Sequence, residues 1–535
     1  MLDDGDGLFD RHARDEPPRH ALAQRRALGK GPKRFVLRKR NKERTKQTTT
    51  SHTTLCQPLI FAQANHSLCI ALPEFVTMVN CLCKYARDRA IHRRRTPVSL
   101  ICRLSCILLL VAFCGLSYSQ AALPKEWLLT TDIYGNPLYQ RLTLHSESGN
   151  LTGSLDGDRL TGTVSGSHVH FTATDEKNNT TEVAGELRQS AMGGEMSLTM
   201  AGSPDVHVKH QFTGRTLETQ PIRPPKTVEF KPTKFYNRFS AEIAPVLTIW
   251  PGDTIHTQTL DSGGIDEHGV TKALYGNPQT GPFYIGGAES GDVLAVHIKR
   301  LRLNRDYADS RDAIAERVMN SNLAVQAKDL GNLVRWKLDL EKGIARPDVA
   351  TEHLKNFSVP LNPMLGCVGV APDFGFAAFA TGEQGRYGGN MDFNEVTESS
   401  TVFLNVAQPG ALLYIGDAHA AQGDGETTEW ALETSMDVEF SVEVIKNRHI
   451  ASPRVETSTH YAAIGIAGSV DDAMRRATSG MVQWLRQDYH LTASEAALVL
   501  GSSAEYRISE IADRDASVVL KLRKDLLRNI ASVTK

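Results

Sequence analysis

Between Leu123 and Leu217 the chain falls into short runs of alternating apolar and polar residues. Each run is closed by a turn sequence: Gly135-Asn136-Pro137, Ser148-Gly149-Asn150, Asp156-Gly157-Asp158 and Ser165-Gly166-Ser167. Alternation puts every second side chain on one face, and turns this closely spaced leave no room for a helix. The pattern predicts an antiparallel meander or small barrel over residues 122–218. Leu-Thr-Gly recurs at Leu151 and Leu160, so adjacent hairpins resemble one another. His168, His170, His207 and His210 read as ordinary strand residues rather than a metal site.

A Pro-rich, charged stretch, residues 219–232, reads as a linker. Residues 228–535 then read as one large unit, whose first two-thirds are again strand-like. "APVLTIWPGDTIHTQTLDSGG" gives two strands around a Pro-Gly turn, and "STVFLNVAQPGALLYIGDAHAAQGDGE" gives two more around Pro409-Gly410. The last seventy or so residues take a helical period, with N-terminal caps at Ser469 and Thr492. The fold class is α+β, mainly β: a small all-β domain followed by a β-rich domain with C-terminal helices.

The formal net charge of −1 hides a split. Residues 1–77 are strongly basic without apolar period, and read as a disordered leader or as sequence upstream of a true start at Met78. Neutral overall charge argues against nucleic acid as the partner. Of eight cysteines only Cys367 lies beyond Cys114, which excludes a disulfide framework for the folded part. Residues 78–121 read as a signal peptide. A basic stretch ends at Arg95, an apolar core runs from Leu104 to Leu116, and small residues at Ser119-Gln120-Ala121 offer a cleavage site. The core is too short to span a bilayer, so cleavage would leave no stable membrane span. The protein is expected to be exported, periplasmic or extracellular, with a mature start near Ala121.

Four places combine polar side chains with glycine where a strand ends: "TLDSGG" (Asp261), "GRYGGNMD" (Asn390, Asp392), "GDAHAAQGDGE" (Asp417, His419, Gln422, Asp424, Glu426) and "WALETS" (Glu433). Asp417 and His419 stand two apart, so a continuing strand would aim both at one ion, with Glu433 as a third ligand. The same residues also read as turn and cap formers, because Asp-Gly pairs favour turns. There is no G-x-S-x-G elbow, no phosphate loop and no dinucleotide fingerprint. Cys367, in an apolar run, reads as a core thiol.

At these same blocks the chain resembles the acetamidase/formamidase family. The blocks are "GDTIHTQTLDSGG", "NPQTGPFYIGGAESGDVLAVHI", "NPMLGCVGVAP", "GGNMDFNEV", and "PGALLYIGDAHAAQGDGE" with "ALE" after it; with the C-terminal helix region they cover residues 228–535. The resemblance implies hydrolysis of a small linear amide, formamide- or acetamide-like, to carboxylate and ammonia, with zinc or calcium present. Asp261, Asp417, His419 and Glu433 are the acidic and His positions of the matching blocks, and we expect these four to hold the metal. Glu426 and Asp424 become the catalytic carboxylates, and Asn390, Asp392, Gln422 and Tyr387 the substrate contacts. A homo-oligomer is a further expectation. The family usually carries a His before "GGN"; here Tyr387 stands there, removing one nitrogen donor. That departure, with the added β domain, motivates an alternative: an exported, non-catalytic binding protein on an inactive amidase fold.

Overall fold

The computed structural model describes residues 125–530, apart from residues 329, 350, 374, 376 and 529. The basic leader and signal segment expected over residues 1–121 lie outside the described residues.

The first element is a closed antiparallel barrel of eight strands in sequence order. They are β1 (Glu126–Ile133), β2 (Asn136–Glu147), β3 (Asn150–Leu155), β4 (Asp158–Ser165), β5 (His168–Thr174), β6 (Thr180–Arg188), β7 (Ala191–Met200) and β8 (Ser203–Thr216). Closure comes from β1 pairing with both β2 and β8, which leaves no free edge. Alternate residues point inward, so Trp127, Leu129, Leu142, Leu144, Phe171 and Phe212 fill the interior. The repeated Leu-Thr-Gly has a packing reason. Leu151 pairs with Gly162 and Gly153 with Leu160, so each leucine faces a glycine across the ladder. A Cβ at Gly162 would run into the backbone of Phe171. His170 sits on the outer surface, bonded to Glu182 at 2.8 Å.

The stretch read as a linker is tied down. Arg223 makes a paired bond with Asp253 (2.8 and 2.6 Å), and Thr227–Glu229 forms a short strand. That strand runs parallel to β9 (Thr254–Thr259).

The remaining chain builds two large sheets and carries few helices, in agreement with the mainly β, α+β expectation. The strands that matter below are β10 (Thr280–Ile285), β11 (Val293–Leu303), β12 (Met364–Gly369), β13 (Gly388–Asn390), β14 (Leu413–His419), β15 (Glu433–Thr434), β16 (Met436–Ile445), β17 (His460–Ala467), β18 (Glu505–Glu510) and β19 (Ala516–Arg523). One sheet runs through β15, β14, β12 and β13, and the other through β18, β19, β17, β11, β16 and β9 with shorter strands between. Their apolar faces meet in one core containing Phe283, Leu365, Val368, Ile415, Phe440 and Val519. Helix α1 (Val470–Asp488) packs on β17 and β19, and α2 (Ala493–Ser503) follows. Ser469 caps α1 by accepting from the Asp472 amide, and Thr492 with Glu495 forms a full capping box on α2. Among the described residues no helix is long and apolar enough to cross a membrane.

The barrel docks through buried ion pairs. Arg215 bonds Glu289 twice (2.9 and 3.0 Å), and Arg141 bonds Asp292 at 3.0 Å. Both carboxylates lie just beyond the C-terminal end of β10, and both are fully buried.

Candidate active site

Residues of β14 supply the centre. Asp417 and His419 lie at its end, fully buried, with β12 on one side and β15 on the other. Asp417 adopts a left-handed backbone (φ 56°), so the strand is not regular there. Even so the two side chains meet, with His419 Nε2 3.5 Å from Asp417 Oδ2. Glu433 on β15 stands opposite His419 in the ladder and brings Oε1 to 3.1 Å from Nε2. Glu426 approaches from the loop after β14, with Oε1 4.0 Å from Nε2. Asp392, following β13, completes a second carboxylate set around the same histidine.

Gln422 fixes the histidine. Its amide nitrogen donates to the Asp392 carbonyl at 2.6 Å and lies 3.4 Å from that of Ser509, so its oxygen must accept from His419 Nδ1, at 2.8 Å. Nδ1 therefore carries a proton, and Nε2 is the nitrogen that faces the carboxylates. The sequence expected Gln422 to hold substrate; instead both ends of its amide are committed to the histidine and to backbone.

Asp261 is a second correction. It lies outside the carboxylate cluster because both its oxygens are taken: Oδ2 accepts from Arg305 at 2.7 Å, and Oδ1 from the Ile265 amide at 2.8 Å. Arg305 is itself buried and donates to the Glu433 carbonyl at 3.1 Å. Asp261 thus braces β15 and the 261–279 loop and is not among the residues gathered around His419. Asp424 is a third. The chain turns at Gly425 (φ 83°), sending Glu426 inward and Asp424 out to Arg507, with Nε–Oδ2 at 2.8 Å. Tyr387 is a fourth. Its ring stacks on Phe379 (5.3 Å, 10°) and tilts against Phe239, within the apolar core and not on the cavity wall. Asn390 does line the cavity, but its amide nitrogen donates to Asp392 (2.5 Å) and Asp513 (3.1 Å), and its oxygen accepts from Asn277. It orients Asp392 and has no free hydrogen for a substrate carbonyl.

Three residues beside the cluster escaped the sequence reading. Glu510 and Asp513 come from the β18–β19 hairpin, about ninety residues after Gln422, and carried no local signal. Ser262 lies beside Glu433 and lines the cavity; its adjacency to Asp261 in "TLDSGG" was the available clue.

The electrostatics follow from crowding acids away from water. Burial first, then Asp417 and Glu510, pushes the Asp392 carboxyl well above the usual range. Burial and Asp392 do the same to Glu426, and burial raises Glu433. Burial and Asp513 lift Glu510 to about 7, while burial lifts Asp513 itself to about 6. At His419 burial pulls the pKa down, but the Glu433 and Asp417 carboxylates more than reverse it, leaving it well above the histidine norm. The cluster draws in positive charge, as a proton or as a cation.

A divalent cation fits these residues. Asp417, His419 and Glu433 present ligand atoms mutually within 4.8 Å, and so do Asp392, His419 and Glu426. His419 Nε2, Glu433 Oε2 and Asp392 Oδ1 are all buried without a hydrogen-bond partner. Gly366 on β12 lines this cradle: a Cβ there would sit inside contact distance of both the Asp392 and Asp417 carboxylates. One imidazole with several carboxylate oxygens is a donor set for zinc or a harder ion such as calcium.

Residues 375–524 match the model of the acetamidase/formamidase family. That stretch, and not the whole chain, is what resembles the family. It contains all the residues of the two ligand sets. A Schizosaccharomyces pombe protein with a provisional formamidase name is 24% identical over 269 residues, 40% of this chain. The alignment spans 64% of that relative's length. Among solved structures, an acetamidase from Yersinia enterocolitica is 28% identical, with a TM-score of 0.50, covering 58% of this chain and 96% of its own. An acetamidase from Bacillus halodurans is 26% identical with a TM-score of 0.48, covering 57% of this chain and all of its own. The barrel, residues 126–216, precedes the family match.

Proposed function

We propose that the protein hydrolyses a small linear amide to carboxylate and ammonia, with a divalent cation held by Asp417, His419 and Glu433. The observation that carries this reading is the convergence of those three side chains, with unpartnered buried atoms, inside the family-matched stretch. The chemistry such a cation supplies when bound is Lewis-acid polarisation of the amide carbonyl. Gln422 keeps the His419 proton on Nδ1, so Nε2 stays available as a donor atom. Glu426 takes a proton from the attacking water and delivers it to the leaving nitrogen. The carbon–oxygen bond forms, the carbon–nitrogen bond breaks, and ammonia departs. A carboxyl whose pKa burial has raised suits that exchange near neutral pH. Asp392, oriented by Asn390, closes the acidic wall opposite Asp417.

The alternative of a non-catalytic binding protein rested on the added β domain and on Tyr387. With that ring packed in the apolar core, away from the cavity, the substitution takes no donor out of the cluster, and the catalytic reading is favoured. We also assign the protein to export, on the strength of the signal-like segment over residues 78–121. N-terminal sequencing of the secreted form is expected to read from near Ala121; a start upstream of Arg95 overturns this.

The test of the activity is elemental analysis with an ammonia-release assay on formamide and acetamide, comparing wild type with His419→Ala. Wild type is expected to carry metal and release ammonia, and the variant to do neither. Full ammonia release by His419→Ala would remove His419 from the mechanism.

A further inference from the structure

The cavity over the cluster is larger than the smallest amides need. It has a volume of about 310 Å³. Acetamide has four heavy atoms and fills roughly 120 Å³ at the ~30 Å³ of a liquid water. Roughly 200 Å³ therefore remain between the carboxylate floor and the mouth.

The residues at the mouth define what fills that space. Arg514 and Glu429 both reach it, but each already has a partner: Arg514 lies 3.5 Å from Glu383, and Glu429 lies 3.7 Å from Arg311. Each charge thus has a counter-charge beside it, so the rim carries no lone charge of either sign. The other two rim side chains are aromatic. Tyr275 and Trp430 approach at 5.6 Å with planes 32° apart, from two separate loops, and form one aromatic edge. Both are held in advance. The Arg311 guanidinium lies 4.5 Å over the indole of Trp430, and the Asn237 amide donates to the carbonyls of Leu274, Tyr275 and Gly276. Tyr275 is nonetheless 62% exposed, a large ring kept at the mouth with little of its own surface buried.

We infer that the site takes amides with a neutral aryl substituent, whose ring contacts Tyr275 and Trp430 while the amide lies over Asp417, His419 and Glu433. This rests on the amidase reading above and narrows it. Phenylacetamide, with ten heavy atoms, needs roughly 300 Å³ on the same scale, which matches the cavity. Pre-set rings favour such a ligand because little ordering accompanies binding.

The experiment is a panel of kcat/KM values for acetamide, butyramide, phenylacetamide, succinamate and glycinamide, on the metal-loaded protein. Phenylacetamide is expected to exceed acetamide by about tenfold or more. Tyr275→Ala and Trp430→Ala are each expected to cut that ratio by roughly fivefold or more. A misfolded variant would lower all substrates together and leave the ratio alone. Greatest efficiency on acetamide, butyramide, succinamate or glycinamide overturns the inference, as does an unchanged ratio in both variants. Calorimetric binding of phenylacetamide and acetamide to the wild type separates the two readings. Preferential binding without ammonia release from any amide sinks the amidase reading and keeps the aryl site. Ammonia release with equal binding does the reverse.

Discussion

The barrel and the amidase-like unit use the same unusual backbone in opposite places. In the barrel, the non-glycine residues with positive φ are Tyr134, Ser148, Asp156, Asn178 and Gln189, all exposed and all at turns between strands. In the larger unit five such residues are buried: Ala411 and Leu412 in the apolar core, and Asp392, Asp417 and Glu426, the three polar ones, which are all carboxylates of the candidate site. A left-handed turn residue follows from hairpin geometry. A left-handed buried acid costs stability twice, in backbone strain and in desolvation, and persists only where surrounding structure compels it. The barrel is built for closure, whereas the centre of the larger unit holds unfavourable groups in one place, as functional sites do.

That contrast is best broken at Gly366. Gly366→Ala drives a Cβ between the Asp392 and Asp417 carboxylates. The expected outcome is loss of bound metal and a fall in kcat/KM of roughly 1,000-fold, the several kcal/mol a bound cation supplies. Wild-type metal content in that variant would show that the cradle is not where the cation sits. Leu142→Ala opens a cavity in the barrel core, where the side chain is fully buried. It should cost ~2–5 kcal/mol in denaturant unfolding, with kcat/KM within about twofold while the protein stays folded. A matching loss of activity would mean that the two regions are not separable.

Asp513→Asn sharpens the contrast through pH. Burial pushes the Asp513 carboxyl up to about 6 in the folded protein, above the ordinary aspartate value of about 3.9. Between those values the unfolded chain ionises first, so this group lowers stability as pH rises through that window and adds nothing further above it. Removing the charge should raise the melting temperature at pH 7 by roughly 1–3 °C and leave it unchanged at pH 3.5. A change of equal size at both pH values would assign the effect to packing. The smallest effect belongs to Asp424→Asn. Its pairing with Arg507 is partly exposed, so stability should shift by ~1 kcal/mol or less and ammonia release by under about twofold. A large loss of activity would return Asp424 to the site.

These residues also show what a linear reading can reach. The barrel was legible because its turns and alternation are local, and both long helices announced themselves in their caps. Asp417, His419 and Glu433 were legible because one ladder brings them together. Asp424 and Glu426 were indistinguishable on paper, since only the turn at Gly425 parts them. Asp261 looked like a ligand because its partner, Arg305, lies 44 residues away. Glu510 and Asp513 reach the site through a distant hairpin, which no spacing rule connects to β14. Tyr387 looked critical by position, and only packing against Phe239 and Phe379 reveals it as core.

The barrel grips the larger unit through Glu289 and Asp292, beyond one end of β10, while Gln279 and Thr280 at the other end lie beside β14 and the carboxylate cluster. The molecule therefore has a handle and a working end on opposite sides of a single strand. Attached to a bead, an electrode or a cell surface through its barrel, it would be held at the end of β10 away from the residues beside β14.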